Sequence, residues 1–319
     1  MTNDPTNDCA VVFVCDQSHV RFTLFMIWQI CHHNPARKFD FVIYSPDEIV
    51  LPDWAAPWGV QTYRAKPLVD VPKRALFNGM EIPLYRFGVA RDLGARYRRI
   101  LYMDTDMMVE GGDFNRLFEM DLQGLPIAGA LDVLFIRNAR FWADEYKRVG
   151  LSARPFMNAG LQLIDVQAYL DQEVERLAWT AIRETPHAIV NSDQSALNLA
   201  LKGRFAELSP KWNWQENGRL PLVTLRYPVF VRHFIARQKP NRDSSGRTDA
   251  RFNLAYREFF ARHDPDFLAQ IAHPCDPSPM SFRDAAGLVW RHLRHAEMCR
   301  TILGRHPDPY KPRIPEMRR

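Results

Sequence analysis

Two aspartates separated by one residue are the strongest candidates for chemistry in this sequence. Asp104 and Asp106, with Thr105 between them, directly follow the apolar run at residues 100–103, which is typical of a buried strand. In extended backbone, residues i and i+2 project to the same side, so the two carboxylates would repel each other. A divalent cation would relieve this repulsion, because hard cations prefer oxygen ligands. The alternative is an ordinary surface turn, since short motifs also occur by chance.

Strand-like and helix-like segments alternate on both sides of this pair. Apolar runs predict strands, and helical spacing predicts a helix before the pair, at residues 82–97. We expect a polar turn at residues 158–160, ahead of another strand, and a helix that places Asp193 and Gln194 in its first turn. The alternation predicts an α/β fold with a mostly parallel central sheet, whose ligands bind beyond the carboxyl ends of the strands. The strands are predicted at residues 9–15, 39–44, 60–63, 100–103, 127–130 and 229–231.

The composition is that of an ordinary globular protein. The chain has 319 residues, of which 46% are hydrophobic and 25% charged. Its start is polar and acidic, unlike a signal peptide, and its longest apolar stretch, at residues 22–30, is too short to span a bilayer. The five cysteines form no C-x-x-C pair, which favours free thiols in a reducing compartment. We therefore expect a cytoplasmic protein.

The positive charge is concentrated at the C-terminal end. Residues 283–319 contain nine Lys and Arg against four Asp and Glu, which accounts for the whole net charge of +5. From Ser281 onward, apolar residues at helical spacing alternate with arginines and predict an amphipathic basic helix. Such a helix either packs on the main domain or contacts an anionic membrane surface. We expect the final segment, residues 306–319, to be poorly ordered, and no motif supports binding to nucleic acid.

Six sequence blocks, taken in order, resemble those of one enzyme family. They are VVFVCDQS, YRFGVARDL, RILYMDTDMMV, MNAGLQLID, NSDQSALN and HFIARQKP. In these blocks the chain is similar to the retaining glycosyltransferases of family 8, which include glycogenin and bacterial lipopolysaccharide galactosyl- and glucosyltransferases. The resemblance implies a GT-A fold, in which one Rossmann-like domain binds a UDP-sugar together with Mn²⁺ or Mg²⁺. We assign that domain to residues 1–245 and a helical, basic extension to residues 246–319.

The resemblance also implies the cation ligands and the groups that contact the diphosphate. Asp104 and Asp106 would hold the cation, and His233 would be its third protein ligand. Two carboxylates and an imidazole suit Mn²⁺, which accepts both oxygen and nitrogen donors. Lys239 would contact the diphosphate, and Arg86 would face the donor.

The other candidate positions would contact the nucleotide or the sugar. Residues 10–18 resemble the stretch that cradles uracil and ribose, and residues 158–159 resemble a turn near the sugar and acceptor. The paired Asp193 and Gln194 would bind sugar hydroxyls close to the anomeric carbon. Whether retention uses front-face attack or a covalent intermediate is open, although a glutamine is a poor nucleophile. The donor-site candidates are Ala10, Val14, Cys15, Asp16, Thr105, Asp132, Asn158, Ala159 and Ala236, the last of which replaces a glycine of the family pattern.

The resemblance predicts a retaining hexosyltransferase. It would move galactose or glucose from a UDP-sugar to a hydroxyl of a glycan or lipopolysaccharide-type acceptor. A sugar-phosphate nucleotidyltransferase would carry a glycine-rich loop after its first strand, and VCDQSHVRF contains no glycine. A catalytically silent nucleotide-sugar or glycan-binding protein is the other alternative. It would be expected to lack part of the set Asp104, Asp106, His233 and Lys239, and the chain has all four.

Overall fold

The computed structural model describes residues 7–138, 140–216, 223–237, 239–244, 248–274 and 281–315. The strands in these ranges are β1 (Cys9–Val14), β2 (Asp40–Ser45), β3 (Val60–Arg64), β4 (Arg99–Met103), β5 (Met107–Val109), β6 (Ile127–Leu131), β7 (Met157–Asp165), β8 (Ala206–Glu207), β9 (Trp214–Gln215) and β10 (Val231–His233). The α-helices there are α1 (Val20–His33), α2 (Val89–Leu93), α3 (Phe114–Phe118), α4 (Leu134–Arg137), α5 (Asp144–Arg148), α6 (Val166–Asp171), α7 (Val174–Glu184), α8 (Ser192–Leu201), α9 (Val223–Arg226), α10 (Ala250–His263), α11 (Pro265–Leu268) and α12 (Phe282–Gly304).

Seven of the described strands form the central sheet, in the order β3-β2-β1-β4-β7-β6-β8. The strands from β3 to β4 are parallel, and β8 is parallel to β6. Among these seven strands, only β7 runs antiparallel to its neighbours, β4 and β6. The predicted α/β fold with a mostly parallel sheet is therefore confirmed.

Helices cover both faces of this sheet, so its strands are buried on both sides. Along β1, Val11 and Phe13 face a core that also contains the apolar residues of α1 and α10. The alternate residues Ala10 and Val12 face a second core, built with α2, α7 and α8. This two-sided burial explains why β1 is a continuous apolar run rather than an alternating one.

One local prediction holds in part and one was wrong. The predicted helix at residues 82–97 is helical over residues 82–93, as a 3₁₀ segment, Ile82–Gly88, followed by the short helix α2. Over so few residues, the spacing of apolar side chains does not separate a 3₁₀ segment from an α-helix. Residues 158–160, predicted as a turn, belong to β7, where the Gly160 carbonyl accepts a hydrogen bond from the Asp104 N–H (2.8 Å).

A second, three-stranded sheet in the order β5-β10-β9 supports the end of β4. Its central residue, Arg232, is 1% exposed and lies in ion pairs with Glu110 and Glu216, both at 2.5 Å. Phe252 of α10 packs under the same guanidinium, 4.8 Å from the ring centroid. These contacts tie β10 to both neighbouring strands and so fix the position of the residue that follows Arg232.

The segment after α12 packs against the main domain as far as residue 315, so the expectation of poor order was wrong for that part. Tyr310 lies against Trp212 and Phe230, and the Arg116 guanidinium stacks on its ring at 3.9 Å. Arg313 pairs with Glu207 through two backbone hydrogen bonds. Packing of the Tyr310 ring against other aromatic side chains stabilises this segment, although its basic, proline-rich composition had predicted disorder. Residues 316–319 lie outside the described residues.

The C-terminal part also contains α10 and the long helix α12. Tyr256 and Phe259 of α10 pack against Phe25 of α1. The proposed boundary at residues 245/246 lies outside the described residues and stays a prediction. None of the helices within the described ranges is both long and apolar enough to cross a membrane.

Candidate active site

One cleft of about 590 Å³ brings together most of the predicted site residues. It lies where β1, β4, β6 and β10 end, as expected for an open α/β sheet. Ala10 and Ala236 are not among its lining residues, because Ala10 is buried in the core and Ala236 is exposed beside the cleft-lining Ile235 and Arg237. The predicted residues that do line it are Val14, Cys15, Asp16, Arg86, Asp104, Thr105, Asp106, Asp132, Asn158, Ala159, Asp193, Gln194, His233 and Lys239.

Strand pairing brings His233 to the two aspartates. In the β5–β10 ladder, Met107 is the partner of His233, and the Phe234 N–H donates to the Asp106 carbonyl at 3.1 Å. The His233 Nε2 atom lies 3.1 Å from Oδ1 of Asp106 and 3.7 Å from Oδ2 of Asp104. One ligand atom from each of the three residues lies within 4.8 Å of the other two. The structure thus joins residues that are more than a hundred positions apart in sequence.

Because Gly160 has no side chain, the His233 imidazole and the Asp104 carboxylate can lie close to its backbone. A Cβ atom added there would lie 2.3 Å from Cε1 of His233 and 2.9 Å from Oδ2 of Asp104. Real Cβ atoms do not approach other atoms that closely, so a side chain at this position would displace the imidazole or the carboxylate. Glycine is needed here for close approach rather than for an unusual backbone angle.

The cluster fits a divalent cation. Within the described residues, Oδ1 of Asp106 is buried without a hydrogen-bond donor, although the His233 Nε2 atom is near. A buried carboxylate oxygen without a donor is costly unless a positive group satisfies it. Two carboxylates with an imidazole form a mixed oxygen and nitrogen donor set, which suits Mn²⁺ better than a set of oxygens alone.

Lys239 adds positive charge to the same carboxylate. Its Nζ atom donates to Oδ2 of Asp106 at 2.7 Å and also to the Phe234 carbonyl. Burial favours the neutral form of Asp106, but His233 and Lys239 together outweigh it and hold the pKa of Asp106 below its usual value. Asp106 is therefore ionised at neutral pH, as a cation ligand must be.

The buried Arg86 side chain contacts two carboxylates of the cleft, those of Asp104 and Asp193. Its guanidinium donates to Oδ1 of Asp104 (2.9 Å) and lies 3.0 Å from Oδ2 of Asp193. It also donates to the Ala159 carbonyl (2.8 Å) and stacks on the Tyr102 ring at 4.3 Å. The planar guanidinium can hold several acceptors at once, which a lysine could not do.

Asp193 stands at the start of α8 in an unusual environment. Burial raises the pKa of Asp193 to about 6, with Asp104 adding to the rise and Arg86 opposing it. The preceding residue, Ser192, has a φ of +42°, a conformation that non-glycine residues rarely adopt. A raised carboxylate pKa and a strained backbone at one helix start are typical of functional sites.

Gln194 is held by hydrogen bonds at both ends of its amide. Its Oε1 atom accepts from the Asn158 side chain and from the Ala159 N–H, both at 3.1 Å. Its Nε2 atom donates to Oδ2 of Asp132 at 3.1 Å. Asp132 also accepts from the Leu134 N–H at 2.9 Å, which fixes it at the start of α4. Gln194 and Asp132 therefore form one rigid polar group inside the cleft.

Asn213 is a site residue that sequence reasoning missed. It is 1% exposed, accepts a hydrogen bond from His233 Nδ1 at 3.1 Å and donates to the Asn158 side chain at 2.8 Å. The only sequence signal was the aromatic cluster KWNW at residues 211–214, whose role was not apparent. A polar residue between two buried tryptophans is unusual, since buried amides must find hydrogen-bond partners.

The end of β1 forms the far side of the cleft. Asp16 accepts hydrogen bonds from the Ser18 hydroxyl (2.6 Å) and from the His19 N–H (3.2 Å). Burial would raise the pKa of Asp16, but hydrogen bonds from Ser18 and His19 lower it overall. Burial also raises the pKa of Cys15 to about 12, so this thiol stays protonated and is not a nucleophile.

A tight hairpin at residues 77–80 also borders the cleft and was not predicted. Phe77 and Met80 exchange backbone hydrogen bonds across Asn78 and Gly79, both of which have positive φ angles. An Asn-Gly pair is a strong turn signal that was available in the sequence. Phe77 and Met80 are 48% and 45% exposed, so the hairpin presents apolar surface to whatever enters the cleft.

A family model described as glycosyl transferase family 8 matches residues 79–244, which is more than half of the 319-residue chain. Among curated proteins, General stress protein A of Bacillus subtilis is 27% identical over 133 residues, covering 40% of this chain and 43% of its own length. The glycosyltransferase GlyE of Streptococcus pneumoniae is 24% identical over 266 residues, or 75% of this chain. The chain spans 58% of the length of GlyE and 33% of the related GlyA.

Solved structures show the same fold. A galactosyltransferase, LgtC, in complex with donor and acceptor sugar analogs matches with a TM-score of 0.64 at 14% identity, over 82% of this chain and 100% of LgtC. The bifunctional glycosyltransferase WbbM in its apo form matches with a TM-score of 0.62 at 16% identity, over 85% of this chain and 52% of WbbM. The fold is therefore the GT-A fold of these enzymes.

Proposed function

Because the chain belongs to glycosyl transferase family 8, we propose that it transfers a hexose, galactose or glucose, from a UDP-sugar to a hydroxyl of a glycan or lipid-linked saccharide, with retention of configuration. One observation carries this proposal: the cluster of Asp104, Asp106 and His233 and the polar group around Gln194 line the same cleft. A sugar diphosphate needs both features, since its phosphates require positive charge and its sugar hydroxyls require fixed hydrogen-bonding partners. Galactose is the first sugar to test, because LgtC is described as a galactosyltransferase.

The residues around the leaving diphosphate would work through charge. Asp104, Asp106 and His233 would hold Mn²⁺, and that cation would neutralise the negative charge that develops on the departing UDP. Lys239, whose Nζ atom lies 2.7 Å from Oδ2 of Asp106, would contribute a second positive charge to the same phosphates. Preorganised positive groups lower the barrier because they need no rearrangement during the reaction.

The contacts of Gln194 and Asp193 support attack from the same face rather than a covalent intermediate. Gln194 Oε1 already accepts two hydrogen bonds, which reduces its nucleophilicity further. Oδ2 of Asp193 lies 3.0 Å from the Arg86 guanidinium, and this ion pair lowers the nucleophilicity of the carboxylate. In this proposal both side chains orient and stabilise the sugar rather than bond to it.

Hydrolysis of UDP-sugars in the absence of an acceptor tests the proposal. The experiment measures UDP release from a panel of UDP-sugars, with Mn²⁺, with Mg²⁺ and with EDTA, for the wild type and Asp106→Ala. Release from one sugar that needs the cation and is lost in Asp106→Ala would support the proposal. The matched control is Asp144→Ala, an exposed aspartate that pairs with Lys147 on α5, which should leave release unchanged.

The alternative is a catalytically silent protein that binds a nucleotide sugar. It predicts Mn²⁺-dependent binding of UDP in calorimetry without UDP release from any sugar, even when saccharide acceptors are added. If neither binding nor release is observed, both functions are wrong.

Because the proposed acceptor is lipid-linked, we also propose that α12 contacts an anionic membrane surface. On this helix Phe282 is 90% exposed and Leu293 67% exposed, and Arg291 and Arg294 lie beside Leu293 in sequence. Trp290 is 59% exposed on the same helix. Exposed apolar groups interleaved with arginines support a contact of this helix with an anionic membrane surface.

Sedimentation with anionic vesicles tests this contact. We expect Leu293→Ser to reduce binding to vesicles that contain phosphatidylglycerol. The matched control is Leu254→Ser, because Leu254 is a comparably exposed leucine, at 53%, on α10. Equal binding by the wild type and both variants would show that α12 is not a membrane contact.

A further inference from the structure

Four consecutive hydrogen bonds join the proposed cation ligand His233 to the carboxylate of Asp132. His233 Nδ1 donates to Asn213 Oδ1 (3.1 Å), and Asn213 Nδ2 donates to Asn158 Oδ1 (2.8 Å). Asn158 Nδ2 then donates to Gln194 Oε1 (3.1 Å), and Gln194 Nε2 donates to Asp132 Oδ2 (3.1 Å). Every donor in this chain points the same way, from the imidazole towards the carboxylate.

Two backbone N–H groups set this direction. The Gly160 N–H donates to the Asn158 side chain and the Ala159 N–H donates to the Gln194 side chain, both at 3.1 Å, so each of those atoms must be an oxygen. Asn213 therefore directs its NH₂ group to Asn158 and its oxygen to His233. His233 must then carry a proton on Nδ1, which makes Nε2 the nitrogen that faces the aspartates.

We propose that Asn213 is a positioning residue that couples cation binding at His233 to the orientation of the Gln194 amide. This proposal rests on the proposed function. Asn213 and Asn158 are 1% and 7% exposed, so water does not compete for these hydrogen bonds. A ligand bound at Nε2 makes the Nδ1–H a stronger donor, and hydrogen bonds in a chain polarise one another. Occupation of the cation site thereby tightens the hold on the residue beside the sugar.

Two substitutions of Asn213 separate the two halves of this role. Asn213→Asp keeps an acceptor for His233 but cannot donate to Asn158, whereas Asn213→Leu removes both hydrogen bonds. Calorimetry measures Mn²⁺ affinity, and UDP release measures turnover. We expect Asn213→Asp to bind Mn²⁺ as tightly as the wild type or more tightly, with turnover reduced about tenfold or more. We expect Asn213→Leu to bind Mn²⁺ about 10- to 100-fold more weakly.

Asn158→Asp provides an independent test if the Asn213 variants fold poorly. The new carboxylate still accepts from Gly160 and Asn213, but it cannot donate to Gln194. We expect unchanged Mn²⁺ affinity and a turnover reduced about tenfold. Unchanged turnover in Asn158→Asp or Asn213→Asp would overturn the proposal, as would an Mn²⁺ affinity that falls equally in Asn213→Asp and Asn213→Leu.

Asn34→Asp is the matched control for a buried asparagine changed to aspartate. Asn34 directly follows α1, donates to the Ile30 and Gly112 carbonyls and accepts from the Phe114 N–H. It should alter unfolding by urea but neither Mn²⁺ affinity nor turnover. If the wild type binds Mn²⁺ without releasing UDP, the proposed transfer is wrong. The Mn²⁺ affinities of the variants still test whether Asn213 is coupled to cation binding at His233. A wild type that does not bind Mn²⁺ would overturn both.

Discussion

The buried carboxylate of Asp193 should make the folded protein less stable at neutral pH than at pH 5. Burial raises the pKa of Asp193 to about 6, against an ordinary value of 3.8. One pKa unit corresponds to about 1.4 kcal/mol, so ionised Asp193 costs the folded state about 3 kcal/mol at neutral pH. The isosteric change Asp193→Asn removes this cost and keeps an oxygen that can accept a hydrogen bond from Arg86.

The sign and the pH window follow from the direction of the shift. Between the two pKa values, the folded protein binds a proton that the unfolded chain has already released. The resulting stabilisation is present in full below the unfolded pKa and is lost as pH rises through about 6. Between pH 5 and pH 7.5 the wild type should lose about 1.4 kcal/mol through this group. Asn does not titrate, so Asp193→Asn should lack this component.

Urea unfolding at pH 5 and pH 7.5 measures the difference, with EDTA present so that no cation binds to neighbouring Asp104. We expect the free energy of unfolding of the wild type to fall about 1.4 kcal/mol more than that of Asp193→Asn over this range. The control Asp144→Asn should follow the wild type, because Lys147 lowers the pKa of exposed Asp144 and keeps it ionised throughout. Identical pH dependence in the wild type and Asp193→Asn would refute the reasoning. Asp193→Asn should also release UDP more slowly than the wild type, since stability at a functional site is gained at the expense of activity.

Three further substitutions test the packing of the site and of the C-terminal segment. Gly160→Ala should weaken Mn²⁺ binding about tenfold or more, because its Cβ would lie 2.3 Å from the imidazole of the histidine ligand. Calorimetry checks this, and Gly287→Ala, at an open position on α12, should leave the affinity unchanged. Arg86→Lys should lower the free energy of unfolding in urea by about 3–5 kcal/mol, because one ammonium cannot hold both the buried carboxylate of Asp193 and the partly buried carboxylate of Asp104. In the control Arg91→Lys, which alters a half-exposed ion pair with Asp92, the free energy of unfolding should fall by less than about 1 kcal/mol. Equal losses in the two variants would contradict this explanation. Tyr310→Ala should cost about 2 kcal/mol in thermal unfolding, because it removes a ring packed among two aromatic side chains and an arginine. A loss below about 0.5 kcal/mol would show that the C-terminal segment only rests on the surface.

Sequence reasoning succeeded where the signal is local. The apolar run before Asp104 predicted β4, and the position of Asp193 and Gln194 in the first turn of α8 followed from the sequence around them. Burial of a strand and the start of a helix leave patterns within a few neighbouring residues. Ordered sequence blocks then indicated the family, which the family model confirms.

Sequence reasoning failed where partners are distant. Residues 158–160 looked like a turn because polar and small residues are frequent in turns, yet their backbone belongs to β7, beside the end of β4. Asn213 looked unremarkable because the two groups it joins, His233 and Asn158, lie 20 and 55 positions away. The final segment looked disordered because its composition does not show the aromatic pocket that receives Tyr310.

The sequence by itself determined the α/β fold, the family and the chemical types of the site residues, because these depend on short-range pattern and on side-chain identity. Only the tertiary structure decided that His233 meets the two aspartates, through the pairing of β5 with β10. It also decided the raised pKa of Asp193. The physical reason is that distance, burial and hydrogen-bond direction arise from contacts between segments far apart in the chain, and no local pattern encodes them.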